Sequence, residues 1–239
     1  MHNSTLNLLA GLLSIGLAAT ALAQAPYAAA RRYRDSANLS ALEQLAHTAA
    51  ARAARAKTSA AYVETAQLYA WATDAAQTKP GHSALKRDAA AGMQAAQEAV
   101  KLTPNSAVAH ALLGSLMGAM ITAVPNGGMI YGQRAGMELA KALQLEPNNV
   151  QALTAQGISL LYTPPAFGGG AAAALKDLKR AAALAPRDDT PHLWLAQVYE
   201  QQKNWSAARQ QIQTALKLDP HRLFSRYVAQ QIASAAAKG

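Results

Sequence analysis

The chain has 239 residues, 60 of them alanine and only two phenylalanine, with no cysteine and a formal net charge of +9. The missing cysteines exclude disulfides, thiolate metal sites, iron–sulfur ligation, c-type haem attachment and a lipid-modified N-terminal cysteine. So much alanine favours helix over a β-sandwich or barrel, and a hydrophobic fraction of 51% argues against disorder.

Taken in chain order, the first element is a short apolar core from Leu8 to Leu17, followed by Ala21-Leu22-Ala23. This pattern predicts a secretory signal over 1–23, cut after Ala23, and so a periplasmic or secreted protein. Met1-His2-Asn3 carries no Lys or Arg, which leaves an uncleaved anchor as the competing reading, although a stretch this short and alanine-rich spans a bilayer poorly. Residues 24–58 form a basic, alanine-rich segment, in which Ser40 and Glu43 suggest a capping box for a helix to about Lys57. The remainder, 59–239, reads as helices at 59–77, 83–102, 105–123, 130–145, 149–162, 170–184, 190–202 and 205–218. Thr190-Pro191 offers an N-cap followed by Pro at the first helical position, and 222–237 forms an unpaired last helix that suits a cap. Charge is uneven along this order: 24–57 sums to +4, 58–202 to zero and 203–239 to +5. Basic ends can meet an anionic surface, but they do not interleave with aromatics, so no nucleic-acid module is expected.

Four segments share a register: Ala99 to Asn105, Ala142 to Asn148, Ala181 to Arg187 and Ala215 to His221. Each has an Ala five residues before a Pro and a Leu or Ala two before it, and the prolines lie 43, 39 and 34 apart. Ten residues after the first three prolines stand Gly114, Gly157 and Ala196, all small; thirteen after stand Met117, Leu160 and Tyr199, all large. Ala135, Ala174 and Ala208 lie twelve before the last three. Small residues at fixed positions let two helices approach closely. This register resembles the tetratricopeptide repeat, a helix–turn–helix unit of 34 residues. The likeness covers roughly 83–238, and the extra residues of the two longer intervals fall between paired helices, at 123–128 and 163–170. The Trp frequent in the first helix of that family is replaced by His110, Leu153 and His192. The resemblance implies an all-α, right-handed solenoid of helix–turn–helix repeats with an unpaired C-terminal capping helix.

Three patterns compete with that reading. Ala107 to Val124 carries no charge and contains a GxxxG pair, as a membrane span would, but it is modest in hydrophobicity and sits in repeat register. Gly168 to Ala173, with Asp188 beyond it, matches a dinucleotide fingerprint; yet Thr163-Pro164-Pro165 precedes it where a strand is required. The six histidines show no metal-binding spacing, and no paired acid and base stands out. No enzyme, metal or cofactor is therefore expected.

The resemblance implies a protein-interaction module that captures a peptide or partner protein in its concave groove. A solute- or lipid-handling accessory of a periplasmic transport system is the alternative, favoured if the N-terminal helices close a long apolar cavity. Groove positions follow at 4, 7, 11, 14 and 15 residues after each Pro. They give the candidate partner-binding set Gln151, Thr154, Tyr162, Leu193, Gln197, Gln201, Phe224 and Tyr227. None of these is Lys, Arg or Asn, so the carboxylate clamp of chaperone-binding relatives is absent.

Overall fold

The computed structural model describes residues 27–77 and 83–237; the expected signal segment and its cleavage site lie outside them. The described chain is helical throughout, with no strand. Helix α1 spans residues 27–35. It is followed by α2 (Leu39–Ala56), α3 (Ser59–Ala76), α4 (Ser83–Leu102), α5 (Ala107–Ala123) and α6 (Gly127–Leu145). After these come α7 (Val150–Tyr162), a 3-10 turn (Pro165–Phe167), α8 (Ala171–Leu184), α9 (Asp189–Gln201), α10 (Trp205–Leu218) and α11 (Leu223–Ala236).

The prolines define the joints. Two residues after Pro104, Pro147 and Pro186 stand Ser106, Asn149 and Asp188, whose side-chain oxygens accept from Ala109 N, Ala152 N and Thr190 N. Each satisfies one of the four amides a helix start leaves without an intrahelical partner. The same place after Pro220 holds Arg222, which makes no such cap. Two expected caps move. Asn38, not Ser40, caps α2, and Asp188 caps α9, so Thr190 and Pro191 lie inside that helix. In both cases a short Asx side chain stands two or three residues before the amide it caps.

Helices stack as pairs α3/α4, α5/α6, α7/α8 and α9/α10, with α11 closing the series on α10 and α9. Their seams use the small register positions. A Cβ on Gly114 would stand 2.7 Å from Leu139 Cγ, and one on Gly157 would stand 2.5 Å from Leu178 Cγ. Ala135, Ala174, Ala196 and Ala208 are fully buried beside them. Ahead of the pairs, α2 lies on α3, and Ala30, Leu42, Ala46 and Ala49 share one core with Leu68, Tyr69 and Ala72.

The two inserts are turns with different constraints. Helix α6 begins at Gly127, three residues before the expected start, and a Cβ there would stand 2.5 Å from the Ile121 carbonyl oxygen. In the second insert Gly168 and Gly170 take φ of 80° and 95°, and the 170 amide donates to the Leu160 carbonyl. These glycines serve a chain reversal, not a phosphate loop after a strand. The uncharged helix α5 packs on α4, α6, α3 and α7, and no described helix is long and apolar enough to cross a membrane.

Candidate functional site

The first helices of the pairs, α3, α5, α7 and α9, pack one on the next in a row, and α11 follows on α9. The register positions predicted for the groove separate by exposure. Seven residues after the prolines, Ala111, Thr154 and Leu193 are all buried. Leu193 has no exposed surface and packs with Leu161, Phe224 and Val228 in the core of the last repeats. Thr154 spends its hydroxyl on the Val150 carbonyl of its own helix. These two candidates, and the buried Phe224, are therefore packing residues: their helical phase turns them onto a neighbouring helix. Gln151 donates Nε2–H to Gln67 Oε1 of α3 at 3.1 Å, which ties the start of α7 across the inner face. Tyr162 (54% exposed), Gln201 and Tyr227 remain open to solvent, and Gln197 is half-buried.

The N-terminal end of the groove is closed by charge. Arg222 is only 2% exposed. Its Nη1 donates to Asp189 Oδ2 at 2.6 Å and to Thr190 Oγ1 at 3.1 Å, and its Nη2 donates to both carboxylate oxygens of Asp74, at 3.0 and 2.8 Å. Arg34 of α1 donates Nε–H to Asp35 at 2.7 Å and Nη2–H to Asp219 at 3.1 Å, and its Nη2 lies 3.8 Å from Asp189. Burial alone would lower the Arg222 guanidinium, but Asp74 and Asp189 outweigh it and hold it above its usual value. Burial pushes the Asp35 carboxyl up to about 6 against the pull of Arg34, with Asp219 adding to the rise. Arg34 and Arg222, counted among the basic ends, thus face carboxylates within the protein.

The C-terminal end is aromatic and amide-rich. Tyr162 meets Trp194 edge-on at 6.3 Å, and Trp194 meets Phe224 at 6.0 Å. Gln197 Nε2 and Gln156 Oε1 are buried without a hydrogen-bond partner among the described residues. Burial, and then the nearby Glu200 carboxylate, raise the Tyr162 phenol; burial raises Glu200 itself.

Comparison with known proteins meets this geometry at the repeats. The tetratricopeptide repeat family model matches residues 169–230. A thermophilic tetratricopeptide-repeat protein of Thermus thermophilus superposes with a TM-score of 0.51 at 21% identity, over 74% of this chain and 92% of that one. The chain folds as a tetratricopeptide-type α-solenoid. Two further solved structures share the likeness at lower similarity. MamA of Desulfovibrio magneticus has a TM-score of 0.41 and 20% identity, over 72% and 92% of the two chains. YrrB, described as a tetratricopeptide-repeat protein with an unusual peptide-binding site, has 0.46 and 14%, over 86% and 98%. No curated protein matches the sequence.

Two of the three positions where the resembled repeat often carries Trp hold histidine here, and the third holds Leu153. His110 Nδ1 lies 2.6 Å from Glu138 Oε2 and its Nε2 lies 2.9 Å from the Pro104 carbonyl, while His192 Nδ1 lies 2.8 Å from Gln211 Oε1. Each ring couples the first helix of a pair to the second, so both are structural. Sequence reasoning missed the charge cluster and Trp194. One signal was legible: Arg222 occupies the place where the three preceding repeats carry a capping oxygen. No group of described residues is arranged to hold a metal ion.

Proposed function

We propose that this protein is an exported, non-catalytic adaptor that binds an extended peptide segment of a partner in the open, C-terminal end of its groove. The observation that carries this reading is that the groove-register side chains Tyr162, Gln197, Gln201 and Tyr227 stay open or half-buried, with Tyr162 edge-on to the buried Trp194. The two tyrosines are half-exposed, and the Gln197 amide is buried with no partner for its Nε2. An extended peptide offers backbone groups to the open Gln201 amide and side chains to the aromatic faces. Export rests on the apolar core at Leu8 to Leu17 and the small-residue site at Ala21 to Ala23.

A carrier of solute or lipid would need an apolar chamber behind the N-terminal helices. The closure here is built from Arg34, Asp35, Asp74, Asp189, Asp219 and Arg222, which favours peptide capture over carriage. The test is a peptide array probed with the mature protein, followed by titration of the best binders. Binding that falls at least about tenfold, roughly 1.4 kcal/mol, in a Tyr162→Ala, Gln197→Ala double variant supports the reading. Affinity unchanged in that variant but abolished by salt assigns binding to the basic ends instead.

A further inference from the structure

Groove chemistry at the open end is asymmetric in charge. At the exposed or half-buried register positions of α5, α7 and α9, the side chains are neutral except for Glu200. The chain holds 22 Lys and Arg against 13 Asp and Glu, yet the Glu200 carboxylate makes no ion pair or side-chain hydrogen bond among the described residues. Most of the other described carboxylates are engaged: Asp35, Asp74, Asp189 and Asp219 in the closed end, Glu43 and Asp88 with Arg87, Glu64 with Arg52, and Glu138 with His110. Asp177, which also makes no pair, lies on α8 away from the groove, with Lys176 and Arg180 offsetting its charge. Glu200 has no such compensation, and burial is the one influence that shifts it.

Beside it stands a π-face. Tyr162 is the last residue of α7, Glu200 stands in the last turn of α9, and these two helices pack on each other. The edge-on contact of Tyr162 with Trp194 of α9 leaves about half of the tyrosine open. A carboxylate next to an aromatic ring, partly withdrawn from water, attracts a cation twice, by Coulomb attraction and through the ring quadrupole. An acidic peptide meets only repulsion there.

We propose that the open end of the groove selects a peptide carrying a Lys or Arg side chain, which pairs with the Glu200 carboxylate while lying against the Tyr162 ring. The proposal rests on the peptide-binding reading above and names the chemistry of the segment that site takes. It inverts the charge preference of a groove that grips a terminal carboxylate with basic residues.

The test uses three synthetic peptides that share the sequence of the best array binder and differ at one central position: Arg, citrulline or Glu. Citrulline keeps the size and planarity of Arg and removes its charge. The native protein should bind the Arg peptide about tenfold more tightly than the citrulline peptide, and the Glu peptide more weakly still. In Glu200→Gln the preference for the Arg over the citrulline peptide should disappear. In Glu200→Lys the order of Arg and Glu peptides should reverse. Far-ultraviolet circular dichroism and a thermal melt check that each variant is folded. Equal affinity for Arg and citrulline peptides in the native protein overturns the proposal and leaves peptide binding standing. An Arg preference that survives Glu200→Gln also overturns it and points to another acid. If no peptide binds the native protein, the peptide-binding reading itself fails, and this proposal with it.

Discussion

At the closed end of the groove two buried arginines meet four aspartates, two buried and two partly buried, whereas at the open end a single glutamate stands near a half-exposed tyrosine. Helix α9 runs between the two ends, with Asp189 at its start in the one and Gln201 at its end in the other. The difference lies in what crosses the groove. Arg34, Asp35 and Asp74 come from α1 and α3, and they meet the starts of α9 and α11. Nothing described crosses at the ends of α7 and α9. One end of a repeat groove can thus be part of the fold while the other is left for a partner.

The strongest way to break this comparison is to remove Arg222. Arg222→Met strands Asp189 and Asp74 as buried charges and should cost about 3–5 kcal/mol. In a thermal melt that is a fall in Tm on the order of 10 °C. Adding Asp74→Asn and Asp189→Asn to the same variant should recover part of the loss, because no charge is then left unpaired. A melt of Arg222→Met that overlays the native curve means that the groove is not locked there.

The seam beneath both ends gives a smaller effect with a built-in contrast. Gly157→Leu overpacks against Leu178 and should cost about 1–3 kcal/mol. Gly136→Ala, on the outer face of α6, meets nothing within 4 Å and should stabilise the protein by about 0.5–1 kcal/mol, since Ala favours helix over Gly. Urea melts of the two variants should move in opposite directions; movement in the same direction would mean that the repeat register is misplaced.

At the open end, the Tyr162→Ala, Gln197→Ala variant should lose about 1.4 kcal/mol of peptide affinity. Its Tm should change far less than that of Arg222→Met, because Tyr162 is half-exposed and Gln197 Nε2 has no partner to lose. A Tm loss as large as that of Arg222→Met would show that both ends are structural.

The subtlest measurement is pH. The Asp35 carboxyl moves from 3.8 to about 6 on folding, so the native chain holds this proton more tightly than the unfolded one. Its contribution to stability is full below 3.8 and is lost as pH rises through about 6. Asp88, also pushed up to about 6 by burial, acts with the same sign on the whole molecule. Amide exchange at residues 27–35 separates the two. Protection there should weaken as pH rises across that window after correction for intrinsic rates, and Asp35→Asn should flatten the trend. A trend that persists in Asp35→Asn assigns the effect elsewhere.

Much of the fold was readable before any coordinates. The prolines at 104, 147, 186 and 220 end helices, and the small positions Gly114, Gly157 and Ala196 mark the seams. The site was harder to read. Tyr162, Gln197, Gln201 and Tyr227 were assigned to the groove surface and retain open or half-buried positions, while Thr154, Leu193 and Phe224 turned out to be packing residues. Exposure at a register position depends on how far each helix is rotated against its neighbour, and a uniform spacing rule carries no information about that rotation. The capping shift from Thr190 to Asp188 is of the same kind, a difference of two residues between two competent oxygens.

The sequence by itself determined the helices, their joints and their pairing, because these follow from short-range causes: alanine propensity, proline at helix ends, capping oxygens and a periodic alternation of small and large residues. Only the tertiary structure decided which end of the groove is closed. Arg34 and Asp219 are 185 residues apart, and Asp74 and Arg222 are 148 apart. They meet because small rotations from repeat to repeat accumulate into curvature, and that sum carries the first helices back onto the last.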